Sequence, residues 1–407
     1  MNNNLVKKSK KEDEEYDEEE DIELDDDDSS SSRKKSGGDD MKKRMFLLMG
    51  VIVGGLVLLL IILWIASLFT SKNYEYDDIE TVMKDAAVSY FADYPDYLPQ
   101  NDGDIVEVDV VNLVAAGKMK DLSEYRNDGV ACAGTVQVER AGDEYLYVPY
   151  LNCGDNYYTV ELYNKIVDDN PITSSGDGLY SNNNHYVFRG ENVNNYVKLD
   201  KSLWRIVKIN SDGNVILIHA NGLDYYQPWD NRYNEERLYE AGINTYNVSR
   251  MKDYLEKIYS HPVEDDGEKI LSNKDKARIV THTLCVGGRT IDSESKNNSE
   301  ECKQKVQNQR LGLLTLSEYL YASLDSTCKS AATKACLNYN YLVMDDEWWL
   351  ITPDNSTTST VFKVERSGIV ASAMASNYSK VRPVIYLNSH VMYASGNGTL
   401  EKPYKVK

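Results

Sequence analysis

CAGTVQVERAGDEYLYVPYLNC, residues 132–153, reads as two strand-like runs folded about Ala141-Gly142-Asp143-Glu144. With Gly142-Asp143 as a two-residue turn, facing residues have numbers that sum to 285, and Cys132 faces Cys153. Counting outward from the 141/144 pair, the two cysteines fall on a non-hydrogen-bonded pair. Alpha carbons are there about 4.5 Å apart, within disulfide range. Pro149 faces Val136, another non-hydrogen-bonded pair, so its missing N–H is not needed in this ladder. It denies a bond on the other side, which makes 145–153 an edge strand.

Upstream, Ile79, Val82, Met83, Ala86, Ala87, Tyr90 and Phe91 lie at helical spacing and form one apolar stripe over residues 79–91. Asp93 to Asp104 reads as a loop, and Val106 to Val114 is apolar. Together with the hairpin these make a small α+β domain over residues 74–165.

Met45 to Phe69 carries no charged residue and is dominated by Leu, Ile and Val. A helix of that length exceeds the ~30 Å hydrocarbon core, so the expectation is a single transmembrane helix over 45–69. Trp64 suits its outer interface. Lys42, Lys43 and Arg44 abut its N-terminal side, and Glu75, Asp77 and Asp78 follow the other, so positive-inside puts the N-terminus in the cytoplasm. The apolar run is too long for a cleaved signal peptide and reads as a signal-anchor. Residues 1–44 are mostly acidic with few apolar side chains, and read as a disordered cytoplasmic tail.

The six cysteines, Cys132, Cys153, Cys285, Cys302, Cys328 and Cys336, all lie beyond that segment. An even count confined there points to disulfides in an oxidising, extracellular space. Zinc favours tighter pairs and clustered His, and neither is present. Local bonds Cys285–Cys302 and Cys328–Cys336 would tie two hydrophilic loops, although the sequence leaves that pairing open. The chain has a formal net charge of −20 and no basic stripe, which argues against nucleic acid as a partner.

Residues 176–407 form the second expected domain. Trp204–Ile209 and Val215–Ile218 flank Asn210-Ser211-Asp212-Gly213-Asn214, an Asp-Gly hairpin signal. Ser249 caps a helix over 249–259 with Met251, Leu255, Ile258 and Tyr259 on one face. Thr315-Leu316-Ser317-Glu318 is a capping box, and Leu314 can staple onto Tyr319. Glu347–Thr352, Thr360–Val364 and Val381–Leu387 read as strands.

From about residue 186 the order is Tyr186-Val187-Phe188-Arg189-Gly190, Leu203-Trp204-Arg205-Ile206-Val207, Leu313-Leu314-Thr315-Leu316-Ser317-Glu318-Tyr319, Trp348-Trp349-Leu350-Ile351-Thr352-Pro353 and Val381-Arg382-Pro383-Val384-Ile385-Tyr386-Leu387. This resembles a family of bacterial surface domains without an assigned activity, distantly similar to the formylglycine-generating, sulfatase-modifying-factor type of C-type-lectin-like fold. The resemblance implies a C-type-lectin-like α+β domain with ligand recognition on a loop-rich face. It does not imply the enzyme's activity, because the late copper-holding cysteine pair is missing: no cysteine follows Cys336.

No P-loop, dinucleotide fingerprint, G-x-S-x-G elbow, H-E-x-x-H or EF-hand loop is present, so no catalytic residue, cofactor or metal site is assigned. His185, His219, His261, His282 and His390 are scattered and read as surface or strand-end residues. Trp348 and Trp349 are candidates for a sugar- or peptide-stacking platform. They are adjacent on a strand and point to opposite faces, so at most one is presented. Arg382 is a candidate ligand contact, but Arg205 and Arg382 read first as partners of buried carboxylates that lock strands. The leading function is membrane-anchored recognition or adhesion toward an extracellular carbohydrate or protein. The alternatives are a transmembrane sensor or envelope scaffold whose acidic tail meets a cytoplasmic partner, and an extracellular hydrolase or modifying enzyme.

Overall fold

A computed structural model of the protein describes residues 55–61, 73–101, 103–141, 143–182, 185–232, 242–260 and 270–407. The chain is mixed α+β with several sheets and divides into two units, Met1–Ser71 and Lys72–Lys407. In the first unit only 55–61 is described, as helix. Among the described residues no helix is long and apolar enough to cross a membrane. The expectation of a transmembrane span over 45–69 is corrected accordingly. The helical stretch 55–61 rises about 10 Å, a third of a ~30 Å hydrocarbon core. Residues 1–54 and 62–72, with the acidic tail, lie outside the described residues.

The second unit holds two hydrophobic cores. The smaller is built by α1 (Tyr76–Asp93), β1 (Ile105–Asp109), α2 (Val110–Ala115), β2 (Ala133–Ala141) and β3 (Glu144–Asn152). Ile79, Met83, Ala86, Ala87 and Phe91 of α1 bury the apolar stripe against Val136, Val138 and Leu151. The sheet order is β1-β2-β3, so β3 is an edge, as Pro149 requires. The register runs from Ala141↔Glu144 through Val136↔Pro149 to Ala133↔Asn152, each pair summing to 285. Cys132 and Cys153 are bonded, with alpha carbons 4.1 Å apart. Gly142 of the turn lies outside the described residues.

That bond closes the hairpin at its open end, and tying the loop removes entropy from the unfolded chain. Replacing both Cys132 and Cys153 with alanine is expected to lower stability by about 3 kcal/mol, read by chemical denaturation. A change under about 1 kcal/mol would mean that the ladder and core fix the hairpin unaided.

The larger core begins earlier than residue 165. Leu162 and Ile166 of α3 (Leu162–Asp169) pack into it. Its main sheet has the order β16-β8-β7-β6-β18-β17, with β4 and β5 branching from β7. These are β4 (Gly178–Asn182), β5 (His185–Arg189), β6 (Tyr196–Leu199), β7 (Ser202–Ile209), β8 (Val215–His219), β16 (Val384–Leu387), β17 (Tyr393–Ser395) and β18 (Tyr404–Val406). β7 and β8 form the expected hairpin, and Gly213 takes φ +79° in its turn. A bulge between Ile206 and Lys208 lets β7 pair with β6 along its first half and β5 along its second.

A second sheet, β14-β13-β12-β15-β9, uses β9 (Tyr226–Pro228), β12 (Trp348–Pro353), β13 (Thr360–Val364), β14 (Val370–Met374) and β15 (Tyr378–Lys380). β10 (His282–Cys285) and β11 (Lys305–Gln309) form a two-stranded ribbon. α4 (Arg250–Ser260) buries Met251, Leu255 and Ile258, and the Ser249 hydroxyl accepts from the Lys252 N–H at 3.2 Å. After the one-turn α5 (Asn273–Lys276) comes α6 (Leu316–Ala322), which has both halves of the Thr315/Glu318 capping box.

Candidate functional site

The three residues singled out for ligand contact lie inside. Every residue of β12 is buried, including Trp348 and Trp349, because this central strand is covered on both faces. Opposite-face alternation therefore presents neither ring. The Trp349 indole N–H donates to the Gln227 carbonyl at 2.8 Å. Arg382 lies 4.6 Å over the Trp348 ring. It donates to the carbonyls of His219, Ala220 and Leu342, at 2.9–3.0 Å.

Arg205 donates to the Asn195 amide oxygen and the Tyr341 carbonyl, between the rings of Tyr196 and Tyr341. Both arginines are held by carbonyls, an amide and aromatic faces rather than by the expected carboxylates. Burial lowers the pKa of each.

A cleft of about 660 Å³ opens elsewhere, bounded by β5, β7, α6 and the loop closed by Cys285–Cys302. Phe188, Val207 and Tyr341 line its floor, Tyr321 its side, and Lys296, Asn297 and Asn298 its rim. Lys208 and Glu318 lie within it, with Nζ 2.5 Å from Oε1. The other Glu318 oxygen accepts from the Thr315 N–H and hydroxyl, at 3.0 and 2.9 Å. Burial alone would neutralise both side chains. The opposite charge overcomes it, so the Lys208 amine stays above its ordinary range and the Glu318 carboxyl below its own. The acid that caps α6 thus also holds the one lysine of β7 that follows its bulge.

The rim is fixed from beneath. Arg289 and Glu301 form an ion pair at 3.3 Å with neither side chain exposed. Glu301 also accepts from the Ser317 N–H at 3.1 Å, and the Ser317 hydroxyl lies 2.8 Å from both its oxygens. Arg289 reaches the Ser317 hydroxyl and the Ser293 carbonyl, each at 2.7 Å. At Gly287 a Cβ would stand 2.8 Å from the carbonyl oxygens of Glu300 and Glu301, so only glycine lets the two ends of the loop approach. The other wall is tied by the 3.0 Å bond from the Gly190 N–H to the Ala322 carbonyl. Near it, Cys328–Cys336 closes a second loop.

The described histidines lie at strand ends or in loops. His185 opens β5 and lines the cleft, and its buried Nδ1 has no hydrogen-bond partner. His219 and His282 do not line it, His390 meets Glu139 at 2.8 Å, and His261 is outside the described residues. Among the described residues no group of three or more His, Cys, Asp or Glu is placed to hold a metal.

Sequence reasoning did not single out Lys296, Arg289 or Glu301. One usable signal was Gly287-Gly288 directly before Arg289, which marks a close backbone approach. Another was Lys208 among Ile206, Val207 and Ile209 in the second half of β7, which calls for a partner.

Residues 212–389 match the profile of a family described as a domain of unknown function (DUF6273). The match covers less than half of the chain. It starts inside the β7–β8 turn and takes in Lys296, Glu301 and Glu318, but not His185 or Lys208. No curated protein and no solved structure matches the chain.

Proposed function

We propose that the protein works outside the cytoplasm as a ligand-recognition module, and that the cleft between β5, β7 and α6 is its binding site. The observation that carries this reading is a concave site of about 660 Å³ whose walls are cross-linked into place. Binding sites for small molecules and chain ends have this size and character, with an apolar floor and a few polar groups at the edge. Its central charges, Lys208 and Glu318, are committed to one another and to the capping box. That arrangement suits a preorganised surface better than proton transfer, which needs a group free to exchange its proton. The pairing of all six cysteines in three disulfides supports an oxidising compartment.

The test is binding of the purified full chain to a panel of glycans and short peptides, with Asn298→Trp as the blocking variant. Asn298 lines the rim, and a large ring there would occupy the mouth without entering the core. The expected result is a bound ligand whose affinity falls at least about tenfold in N298W, with an unchanged melting temperature. A ligand that binds wild type and N298W equally would move the site elsewhere.

A further inference from the structure

We infer that the ligand carries a carboxylate, held by Lys296 at the rim of the cleft. This inference rests on the reading of the cleft as the binding site. The chain has a formal net charge of −20, so surplus positive charge in a concave site runs against its composition. Within the cleft Lys208 and Glu318 cancel. Lys296, on the rim, makes no ion pair or hydrogen bond among the described residues, although it is only partly exposed. Burial and then the nearby charge of Arg189 lower the pKa of its amine, and Asp325 pulls weakly the other way.

Arg189 itself has no carboxylate partner among the described residues. It donates to the carbonyls of Tyr321 and Ser323, each at 2.8 Å. The Asp325 carboxylate is engaged by Asn338 and Thr327. Of the groups whose charge acts on the Lys296 amine, one is a second cation and the other a carboxylate already engaged, so Lys296 is left without a counter-ion. An anion seated there would replace the hydration that Lys296 has partly lost.

Position and shape narrow the class. Lys296 sits on the Cys285–Cys302 loop, which Arg289, Glu301 and Ser317 clamp to α6, so the cation is presented from a fixed rim. A phosphate is best held by a free guanidinium fork or by several charges. Here Arg189 does not line the cleft and its Nε and Nη2 are given to two carbonyls, so one lysine remains. One surplus point charge matches a monoanion. The body of the ligand would lie against Tyr321 and over Phe188 and Tyr341. The amides of Asn182 and Asn298 and the unpartnered Nδ1 of His185 are available to hydroxyls or amides. The volume suits a unit of disaccharide or dipeptide size. A hexuronic acid and a peptide C-terminus share this chemistry.

Calorimetric titration of the full chain with two probe pairs tests the inference. One pair is a hexuronic-acid disaccharide and its methyl ester. The other is a phenylalanine-ended dipeptide and its C-terminal amide. At least one carboxylated probe is expected to bind, with its neutral counterpart about tenfold weaker or worse. Lys296→Ala should lose about tenfold at an unchanged melting temperature, and Lys296→Arg should retain most of the affinity. The pair that discriminates identifies the source of the carboxylate. Equal binding of charged and neutral probes, or no effect of K296A on a ligand that N298W blocks, would overturn the carboxylate inference and leave the cleft standing. If neither pair binds, the inference also falls, and the cleft then stands only if N298W blocks some neutral member of the wider panel.

Discussion

Replacing Glu301 with alanine is expected to destabilise the protein by about 3–5 kcal/mol. The side chain is fully buried, and its removal strands the Arg289 guanidinium away from water. It also takes an acceptor from the Ser317 N–H in the first turn of α6. Breaking one side of a buried pair costs far more than the pair is worth, because the remaining charge has no solvent to turn to. Arg289→Met combined with Glu301→Leu removes both charges and should recover most of that loss. Chemical denaturation of the two variants separates the effects. A loss below about 1 kcal/mol in E301A would show that water or another group already serves Arg289. Because this pair sets the rim that carries Lys296, E301A should also speed amide hydrogen exchange across 286–300, whereas the double variant should not.

What was legible in the sequence was local. The 132–153 hairpin needs a turn, alternation and two cysteines at matched distances, all within 22 residues of chain. The α6 capping box and the β7–β8 turn are likewise decided by residues a few positions apart. The apolar run 45–69 shows the limit of such reading, because apolar content alone states how long a helix would be if it formed throughout. Among the described residues no helix of that length is present.

Trp348 and Trp349 show a second limit. Alternation places one residue on each face of a strand, but burial depends on what covers those faces. β12 lies in the middle of its sheet, beside β13 and a parallel partner, β15, that follows it by some thirty residues. The cleft has the same origin. Its wall, floor and rim come from residues near 185, 208, 297 and 320, which meet only after β7 has paired with β5 and a disulfide loop has folded over α6. Each of these residues taken alone has an ordinary structural reading.

Stability is expected to fall as pH is lowered from about 6.5 toward 4, before the carboxylates titrate, because two imidazoles are buried uncharged. Burial, and then the positive charge of Arg382, pushes the His219 pKa down to about 4. Lys380 acts in the same direction and Asp224 opposes it. Burial is also the main cause at His282, which is lowered to about 4; a hydrogen bond with the Val280 backbone opposes it, Lys208 adds to it and Glu318 opposes it. Between the ordinary value near 6.5 and the folded value, the unfolded chain binds more protons than the native one. The neutral-imidazole contribution is therefore whole above pH 6.5, shrinks through the window and is gone below about 4. Each imidazole accounts for about 2 kcal/mol of loss at pH 5.

His282 offers the cleaner test. Its ring stacks on Tyr386 at 3.7 Å, both nitrogens are buried, and the Val280 backbone is the one polar group that acts on them as a hydrogen-bond partner. Phenylalanine would therefore keep the stack and give up at most the contact with the Val280 backbone. His282→Phe should match or exceed wild-type stability at pH 7.5 and fall by about 2 kcal/mol less on going to pH 5, as read by urea unfolding. Superimposable pH profiles would mean that His282 gains its proton without loss of the native packing, and that the acid limb belongs to His219 and the carboxylates.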